Sequence, residues 1–158
     1  MTSTAPDIAH RFAAAFNTRD IEQVLDCFTQ DAAYHDLFYG RFSGRSGLGS
    51  LFERMYSEGE CHEWRMTRVV NDAACTVGEW QFTFTVSAAV PRSSGRTLAF
   101  HGVSIFETRA RLCHTYREYF DRGAALLGLG ISPVAVARIT AQRPSVEVTT
   151  SGLGVSRS

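Results

Sequence analysis

The first third of the chain carries apolar residues at the spacing of amphipathic helices. From Asp7 to Phe16 they recur every four positions, and the pattern returns after a polar break at 17–20. The apolar positions are Ile8, Phe12 and Phe16 in the first stretch and Ile21, Val24, Leu25 and Phe28 in the second. Side chains three or four positions apart share one face of a helix, so the pattern predicts a helical hairpin.

A third stretch, between Gly44 and Gly59, has the same helical period. Its apolar residues fall at i, i+3, i+4, i+7 and i+8: Leu48, Leu51, Phe52, Met55 and Tyr56. Ser46 is expected to cap the start of this segment. The pattern predicts a third amphipathic helix.

The period changes to two after His62. Four segments rich in Val, Thr, Phe, Tyr and Trp follow one another, at 62–70, 75–87, 97–107 and 112–121. They predict four consecutive antiparallel strands, and Ala32 to Phe38 predicts a short strand before the third helix. We therefore expect an α+β fold shaped as a cone-like barrel, with three N-terminal helices on a strongly curved, mainly antiparallel sheet.

Length and C-terminal composition predict one domain with a tail. A chain of 158 residues suffices for one core, and no internal repeat is visible. We expect a single domain over 1–141, with a short helix at 131–139. Residues 142–158 are rich in Ser, Thr, Gly and Val, which predicts a flexible tail.

The charges exclude several classes of partner and chemistry. Sixteen basic and sixteen acidic residues cancel, so no positive field would gather nucleic acid or an anionic membrane, and neither is expected as a partner. Every basic residue is arginine, which excludes a Schiff-base lysine and a phosphate-loop lysine.

The remaining composition indicates a cytoplasmic protein without a bound metal or cofactor. Residues 1–7 lack the pattern of a signal peptide, and glycines and a proline interrupt the apolar run 124–137. The four cysteines are scattered without C-x-x-C spacing, so reduced thiols are expected. No metal-ligand spacing and no glycine-rich nucleotide loop are present, so no cofactor is expected.

The order of these elements resembles the nuclear transport factor two-like superfamily. Residues 11–20 (RFAAAFNTRD) and 28–36 (FTQDAAYHD) are similar to the helix-to-first-strand segment of ketosteroid isomerases and SnoaL-like polyketide cyclases. Residues 100–106 (FHGVSIF) and 116–121 (YREYFD), followed by 126–130 (LLGLG), are similar to the closing strands of SnoaL-like and limonene-epoxide-hydrolase-like proteins. The resemblance spans roughly residues 7–131 and implies a small-molecule cone, in a superfamily of enzymes and non-catalytic modules.

Two carboxylates are the candidate catalytic groups. Alternation along the strands groups Tyr34 with Asp36, and Tyr116 with Glu118. The resemblance implies that Asp36 matches the base of ketosteroid isomerases, that Glu118 matches a carboxylate of epoxide-hydrolase-like members, and that Tyr34 matches a water-positioning tyrosine. Aromatic surroundings raise a carboxyl pKa toward the range useful for acid–base catalysis. The alternatives are a turn-capping or solvated Asp36 and a Glu118 paired with an arginine.

Aromatic residues are predicted to form the substrate-binding walls. They are Phe12, Phe38, Trp64, Trp80, Phe82, Phe84, Phe100, Tyr116 and Phe120. Plain core packing is the alternative for such a set. His35 and His62 are expected to flank the cavity, whereas His101 is expected on the outer face of the sheet.

The sequence departs from both enzyme types that it resembles. Phe12 stands where ketosteroid isomerases carry the tyrosine of the oxyanion hole, and the companion acid falls near Gly102. Their mechanism is therefore not expected unless Tyr34 or Tyr116 supplies the hydrogen bond. Trp80 and Phe82 stand where epoxide-hydrolase-like members carry an arginine and a second carboxylate.

Three functions remain open from the sequence. The first is a cofactor-free isomerase, cyclase or hydrolase that acts on a mostly apolar small molecule through Asp36 and Glu118. The second is a non-catalytic ligand-binding module, and the third is an adaptor that works by dimerisation. A homodimer is expected in any case, because Val103 and Ile105 alternate away from the predicted pocket and an apolar sheet face needs cover.

Overall fold

The computed structural model describes residues 6–144 and confirms the α+β fold. The helices are α1 (Ile8–Asn17), α2 (Ile21–Leu25), α3 (Gly44–Glu58), α4 (Arg122–Gly128) and α5 (Pro133–Gln142). The strands are β1 (Phe28–Asp36), β2 (Gly40–Ser43), β3 (Gly59–Asn71), β4 (Cys75–Val86), β5 (Thr97–Arg109) and β6 (Leu112–Phe120).

All six strands belong to one curved, open sheet. Their spatial order is β2-β1-β6-β5-β4-β3, and only β1 and β6 run parallel. The register shifts within three strand pairs, between Phe28 and Ala33, Met66 and Arg68, and Glu107 and Thr108. Such irregularities bend strands and increase their twist. Helix α1 contacts β3, and α3 contacts β1, so the helices fill the inside of the bend.

The polar break at 17–20 ends one helix and starts the next. Asp20 Oδ1 accepts hydrogen bonds from the backbone N–H groups of Glu22 and Gln23, which satisfies free donors of the first turn of α2. The expected cap at Ser46 is wrong. Helix α3 already begins at Gly44, whose φ of +69° turns the chain directly out of β2, so Ser46 lies inside the first turn.

One boundary and two short elements differ from the sequence expectation. Phe28, predicted at the end of a helix, begins β1 because the backbone there already pairs with β6: the Cys113 N–H donates to Cys27 O at 2.8 Å. Strand β2 and helix α4 were not predicted, since four and seven residues are too few to show a period.

The C-terminal helix is longer than expected. Ser132 caps α5, which extends to Gln142 rather than ending at 139. The predicted tail therefore begins inside the helix, and its residues 145–158 lie outside the described range. Within residues 6–144, no helix is both long and apolar enough to cross a membrane.

The core is an aromatic cluster centred on Phe12. The ring of Phe12 is fully buried, with its centroid 4.9 Å from that of Trp64 and 5.7 Å from that of Tyr116. It also contacts the rings of Phe16, Phe28, Phe52 and Phe106. Phe12 thus joins α1 to α3 and to four strands.

We expect Phe12→Ala to lower the free energy of unfolding by about 3 to 5 kcal/mol, because truncation of a buried phenylalanine leaves a cavity. Urea denaturation at neutral pH measures the change, with the milder Phe12→Leu as the comparison. A loss below about 1 kcal/mol in Phe12→Ala would contradict this account of the core.

Candidate active site

A cavity of about 270 Å³ opens between the sheet and α3, α4 and α5. Its aromatic walls are Phe38, Trp64, Trp80, Phe82, Phe84, Phe100 and Phe120. Its polar groups are Asp36, Tyr39, Arg54, Glu58, His62 and Glu118. Aliphatic side chains complete it: Met55, Val86, Val90, Leu126, Leu129 and Ile139. An apolar cavity with a few grouped polar side chains is the usual form of a small-molecule site.

Asp36 is the last residue of β1, and the turn that follows holds its side chain. Its Oδ1 accepts hydrogen bonds from the backbone N–H groups of Phe38 at 2.7 Å and Tyr39 at 2.8 Å. The side chain is buried, and burial raises the pKa of Asp36 to about 6, although the two backbone donors partly offset the rise. Asp36 can therefore change protonation state near neutral pH.

Glu118 reaches the same place from β6. Its Oε1 accepts a hydrogen bond from the Leu37 N–H at 3.2 Å, and its Oε2 accepts one from the Tyr116 hydroxyl at 2.8 Å. Burial and the neighbouring Asp36 raise the pKa of Glu118 well above its usual range. Both effects favour the protonated form of Glu118.

The two carboxyl groups lie beside each other in the buried part of the site. They lie within hydrogen-bonding reach of each other, and two adjacent negative charges in a buried site would repel strongly. Asp36 is the member that ionises, because its backbone donors are closer and because the Arg54 charge also favours its carboxylate. The surroundings thus favour a protonated Glu118 beside an Asp36 that ionises as pH rises through about 6.

A buried chain of hydrogen bonds leads from Glu118 into the sheet. The Tyr116 hydroxyl is 2.7 Å from Ser104 Oγ, and the Trp80 indole N–H donates to the same Oγ at 2.8 Å. Trp80, Ser104, Tyr116 and Glu118 are all buried. Burial makes each of these bonds important, since an unpaired polar group would cost free energy there.

A second polar cluster lies on α3 at the rim of the cavity. Glu58 accepts a hydrogen bond from the Tyr39 hydroxyl at 2.5 Å and one from Arg54 Nε at 2.9 Å. The Arg54 guanidinium also lies over the Tyr39 ring, 4.7 Å from its centroid. These contacts fix one wall of the cavity and place a positive charge near Asp36.

His62 lines the cavity as a neutral ring. Its Nδ1 lies 2.7 Å from Arg19 Nη1, and a guanidinium can only donate, so Nδ1 is the acceptor. Burial and the Arg19 charge lower the pKa of His62 to about 4. His62 therefore stays uncharged at neutral pH, whereas His101 lies exposed on the outer face of the sheet.

Three predicted site residues do not line the cavity. Phe12 is in the centre of the core, and Tyr34 and Tyr116 stack on each other behind the carboxyl pair with centroids 4.0 Å apart. Strand alternation gave these tyrosines the correct face, but the helices cover that part of the sheet. Tyr116 reaches the site through Glu118, and the Tyr34 hydroxyl has no hydrogen-bond partner among residues 6–144.

The other predicted site residues lie at one cavity, as expected, and their roles are proposals. Asp36 and Glu118 lie at one cavity with Phe38, Trp64, Trp80, Phe82, Phe84, Phe100 and Phe120. Trp80 occupies the space above Gly102, the position at which the resemblance to ketosteroid isomerases implied a second acid. A Cβ at Gly102 would lie 2.4 Å from the Trp80 ring, so glycine is what lets the indole pack there.

Sequence reasoning missed Tyr39, Arg54 and Glu58. Arg54 and Glu58 are four positions apart on a helix, which is the usual spacing of a solvent-exposed ion pair. Their only sequence signal was their position beside Met55, one of the apolar residues of α3. The distant Tyr39 joins them only because the turn after β1 folds back over α3.

Comparison with known proteins identifies relatives of this fold. The family model for the SnoaL-like domain matches residues 9–112. No curated protein sequence gives a significant match.

Three solved structures illustrate the likeness. A candidate polyketide cyclase from Xanthomonas campestris pv. campestris is 18% identical with a TM-score of 0.69, covering 77% of this chain and 93% of its own. A protein with a ketosteroid isomerase-like fold from Catenulispora acidiphila, solved with trimethylamine, is 18% identical with a TM-score of 0.71, covering 82% and 96%. An LEH-like epoxide hydrolase from M. tuberculosis is 21% identical with a TM-score of 0.64, covering 83% and 92%. At these identities the likeness shows the fold alone.

The raised pKa of Asp36 predicts a pH-dependent stability. The folded protein binds this proton more tightly than the unfolded chain does, so the stability that the proton contributes is present at low pH and is lost as pH rises through about 6. Asp36→Asn has no charge to bury. The free energy of unfolding of this variant, relative to that of the natural protein, should rise by about 1 to 3 kcal/mol when the pH is raised from 4.5 to 7.5. Urea denaturation at both pH values measures the difference, and an equal difference at both would contradict the assignment.

Proposed function

Because the chain belongs to the family of SnoaL-like domain proteins, we propose that it is a small-molecule enzyme of the cyclase or isomerase type. The observation that carries the proposal is the buried carboxyl pair of Asp36 and Glu118 in an aromatic cavity. The pair would move protons on a mostly apolar substrate.

Asp36 is the proposed base. Its carboxylate takes a proton from a carbon next to a carbonyl group, while Glu118 gives its proton to the carbonyl oxygen. One proton enters the pair as another leaves, so its single negative charge is conserved throughout. The substrate becomes a neutral enol. In an isomerisation, Asp36 then protonates the enol at another carbon while Glu118 takes back the hydroxyl proton. In a cyclisation, the enol carbon attacks a second carbonyl group, Asp36 protonates the new alkoxide and Glu118 takes back the hydroxyl proton.

Glu118 would take the place of the oxyanion donors that are missing at positions 12 and 102. Phe12 and Gly102 have no polar side chain, so a charged enolate would have no donor from either place. A protonated Glu118 supplies an O–H donor at the carboxyl pair itself. Formation of an isolated anion in an apolar cavity is then avoided.

The cavity favours a flat, mostly apolar substrate. Rings from β4, β5, β6 and the turn after β1 form its walls, and the Phe100 and Phe120 centroids are 5.0 Å apart. Polar groups are confined to the carboxyl pair and to the wall formed by Tyr39, Arg54, Glu58 and His62. The similar structure from Xanthomonas campestris pv. campestris is named as a candidate polyketide cyclase, which agrees with this substrate type.

We further propose that the reaction needs no metal and no cofactor. Asp36 and Glu118 provide both proton-transfer groups that an enolisation requires. Assays in the presence of a chelator test this proposal, because the rate should then be unchanged.

A non-catalytic ligand-binding module is the second candidate. The observation that favours it is that both Glu118 oxygens and Asp36 Oδ1 already accept hydrogen bonds from this chain. Carboxyl groups satisfied in this way can serve to shape a pocket. Turnover and ligand affinity, measured on the same variants, separate the two functions.

Asp36→Asn and Glu118→Gln are each expected to lower kcat by about 10² to 10⁴, the usual contribution of a general acid or base. A suitable assay is deuterium uptake from D2O next to the carbonyl group of a panel of aromatic and polycyclic ketones, followed by NMR. Ligand affinity should change little, because amide side chains keep the shape of the cavity.

Glu53→Gln is the matched control, since Glu53 is an exposed acid of α3 that does not line the cavity. This variant should exchange deuterium at the rate of the natural protein. Full activity in both Asp36→Asn and Glu118→Gln would refute the paired mechanism, and loss of affinity without any turnover in the natural protein would favour the binding module.

We also propose a homodimer formed through the outer face of the sheet. Val77 pairs with Ile105, and Val103 with Tyr119, across neighbouring strands. Val77 and Tyr119 are exposed, and all four side chains lie on the face opposite the cavity. Apolar side chains grouped on an open sheet face are typical of a protein interface.

Light scattering should give twice the chain mass of 17.5 kDa at micromolar concentration. Ile105→Asp places a charge in the centre of the patch and should shift the protein to the monomer. Val134→Asp is the control, because Val134 is exposed on α5, away from this face. A monomeric natural protein would refute the dimer.

A further inference from the structure

We infer that Trp80 and Ser104 are positioning residues that act through Tyr116 to make Glu118 a better proton donor. The inference rests on the proposed function, because it concerns the proton that Glu118 would give to the substrate. It adds two residues that do not carry the reacting proton themselves. It also gives Trp80, which the sequence predicts only as an aromatic wall, a second role.

The directions of the hydrogen bonds in this chain follow from its two ends. At one end, an indole N–H can only donate, so Ser104 Oγ accepts from Trp80. At the other end, the Tyr116 hydroxyl donates its one proton to Glu118 Oε2. Tyr116 Oη can therefore only accept in its 2.7 Å bond with Ser104, and the Ser104 hydroxyl is the donor there.

All three protons therefore point toward the carboxyl group that would ionise. When Glu118 gives up its proton, a negative charge develops on a buried carboxylate, and the Tyr116 hydrogen bond stabilises that charge. Each bond in a chain polarises the next, so Ser104 and Trp80 strengthen the donation from Tyr116. Without them, the hydroxyl of Tyr116 would be a weaker donor.

The architecture of β5 provides this chain. Ser104 and Gly102 lie on the same face of the strand, and the absence of a side chain at Gly102 lets the Trp80 ring rest on the backbone. The Trp80 N–H then reaches Ser104, whose register partner on β6 is Glu118. Tyr116, two positions away on the same strand, reaches back to both.

Other titratable groups also surround the carboxyl pair. They are Tyr34 from β1, Tyr39 from the following turn, Arg54 and Glu58 from α3, His62 from β3 and Arg122 from α4. Arg122 donates to the Leu37 carbonyl, and Arg54 and Tyr39 bind Glu58. His62 is neutral above its pKa of about 4. Tyr34 stacks on Tyr116, and Tyr116→Phe keeps the ring on which Tyr34 packs. The side chains of the other groups make no hydrogen bond to Trp80, Ser104 or Tyr116 within residues 6–144.

The two tryptophans of the protein offer a direct test that needs no substrate. Trp80 Nε1 is hydrogen bonded, whereas Trp64 Nε1 is buried without a partner among residues 6–144. In a 15N-labelled protein, we expect the Trp80 indole resonance to shift with pH along the titration of the carboxyl pair near pH 6. Trp64→Phe assigns the two resonances. A Trp80 resonance that is constant from pH 5 to pH 8, while carboxyl 13C signals titrate, would overturn the inference without any variant of the chain.

Variants along the chain test the order of coupling. Ser104→Ala should remove the pH response of the Trp80 resonance, and Ser104→Thr, which keeps the hydroxyl, should restore it. Removal of a hydrogen-bond donor from the chain makes Glu118 a weaker acid. Glu118 then donates a weaker hydrogen bond to the Asp36 carboxylate, so the apparent pKa of the carboxyl pair should rise. We expect proton affinity to increase roughly two- to tenfold in Tyr116→Phe, less in Ser104→Ala and least in Trp80→Phe.

Ser87→Ala is the matched control, because Ser87 is a buried serine whose hydroxyl donates to Ser57 O, outside the chain. It should leave both the Trp80 response and the carboxyl titration unchanged. An equal shift in Ser87→Ala and Ser104→Ala, or no shift in Tyr116→Phe, would overturn the inference. The proposed function fails by a different measurement, namely full turnover in Asp36→Asn and Glu118→Gln.

Discussion

The burial of two carboxyl groups side by side is the constraint on which this site depends. A charged carboxylate in an apolar environment needs donors, and here the backbone of the turn after β1 provides three, from Leu37, Phe38 and Tyr39. The turn can do so because β1 ends at Asp36 and lies beside β6, which carries Glu118. The parallel pairing of β1 with β6 is thus what brings the two acids together.

The aromatic residues divide into two groups with different tasks. Rings around Phe12 close the core between α1, α3 and the sheet, while rings around Phe100 line the open cavity. Trp64, Trp80 and Phe82 belong to both groups. A tightly packed core behind the site restricts the movement of the carboxyl pair, and restricted movement favours proton transfer because the groups are already oriented.

The structure explains one departure of this sequence from the enzymes that it resembles, namely glycine at position 102. Gly102 has no side chain that could act as an acid, but the space above it is what allows the Trp80 ring to pack on the backbone. Trp80 then begins the hydrogen-bond chain that ends on Glu118. The members of this chain lie on three neighbouring strands, β4, β5 and β6.

The sequence by itself determined the fold class and which strand faces point inward, because helical and strand periods are local properties of the chain. It therefore predicted Asp36, Glu118 and most of the aromatic walls, with help from the family resemblance. Only the tertiary structure decided how far along each strand the cavity extends, which excluded Phe12, Tyr34 and Tyr116 from its walls. It also decided the partners of Ser104, Arg54 and Glu58. Such contacts join distant segments, and their geometry depends on how the sheet bends and on what the helices cover, which no periodic pattern records.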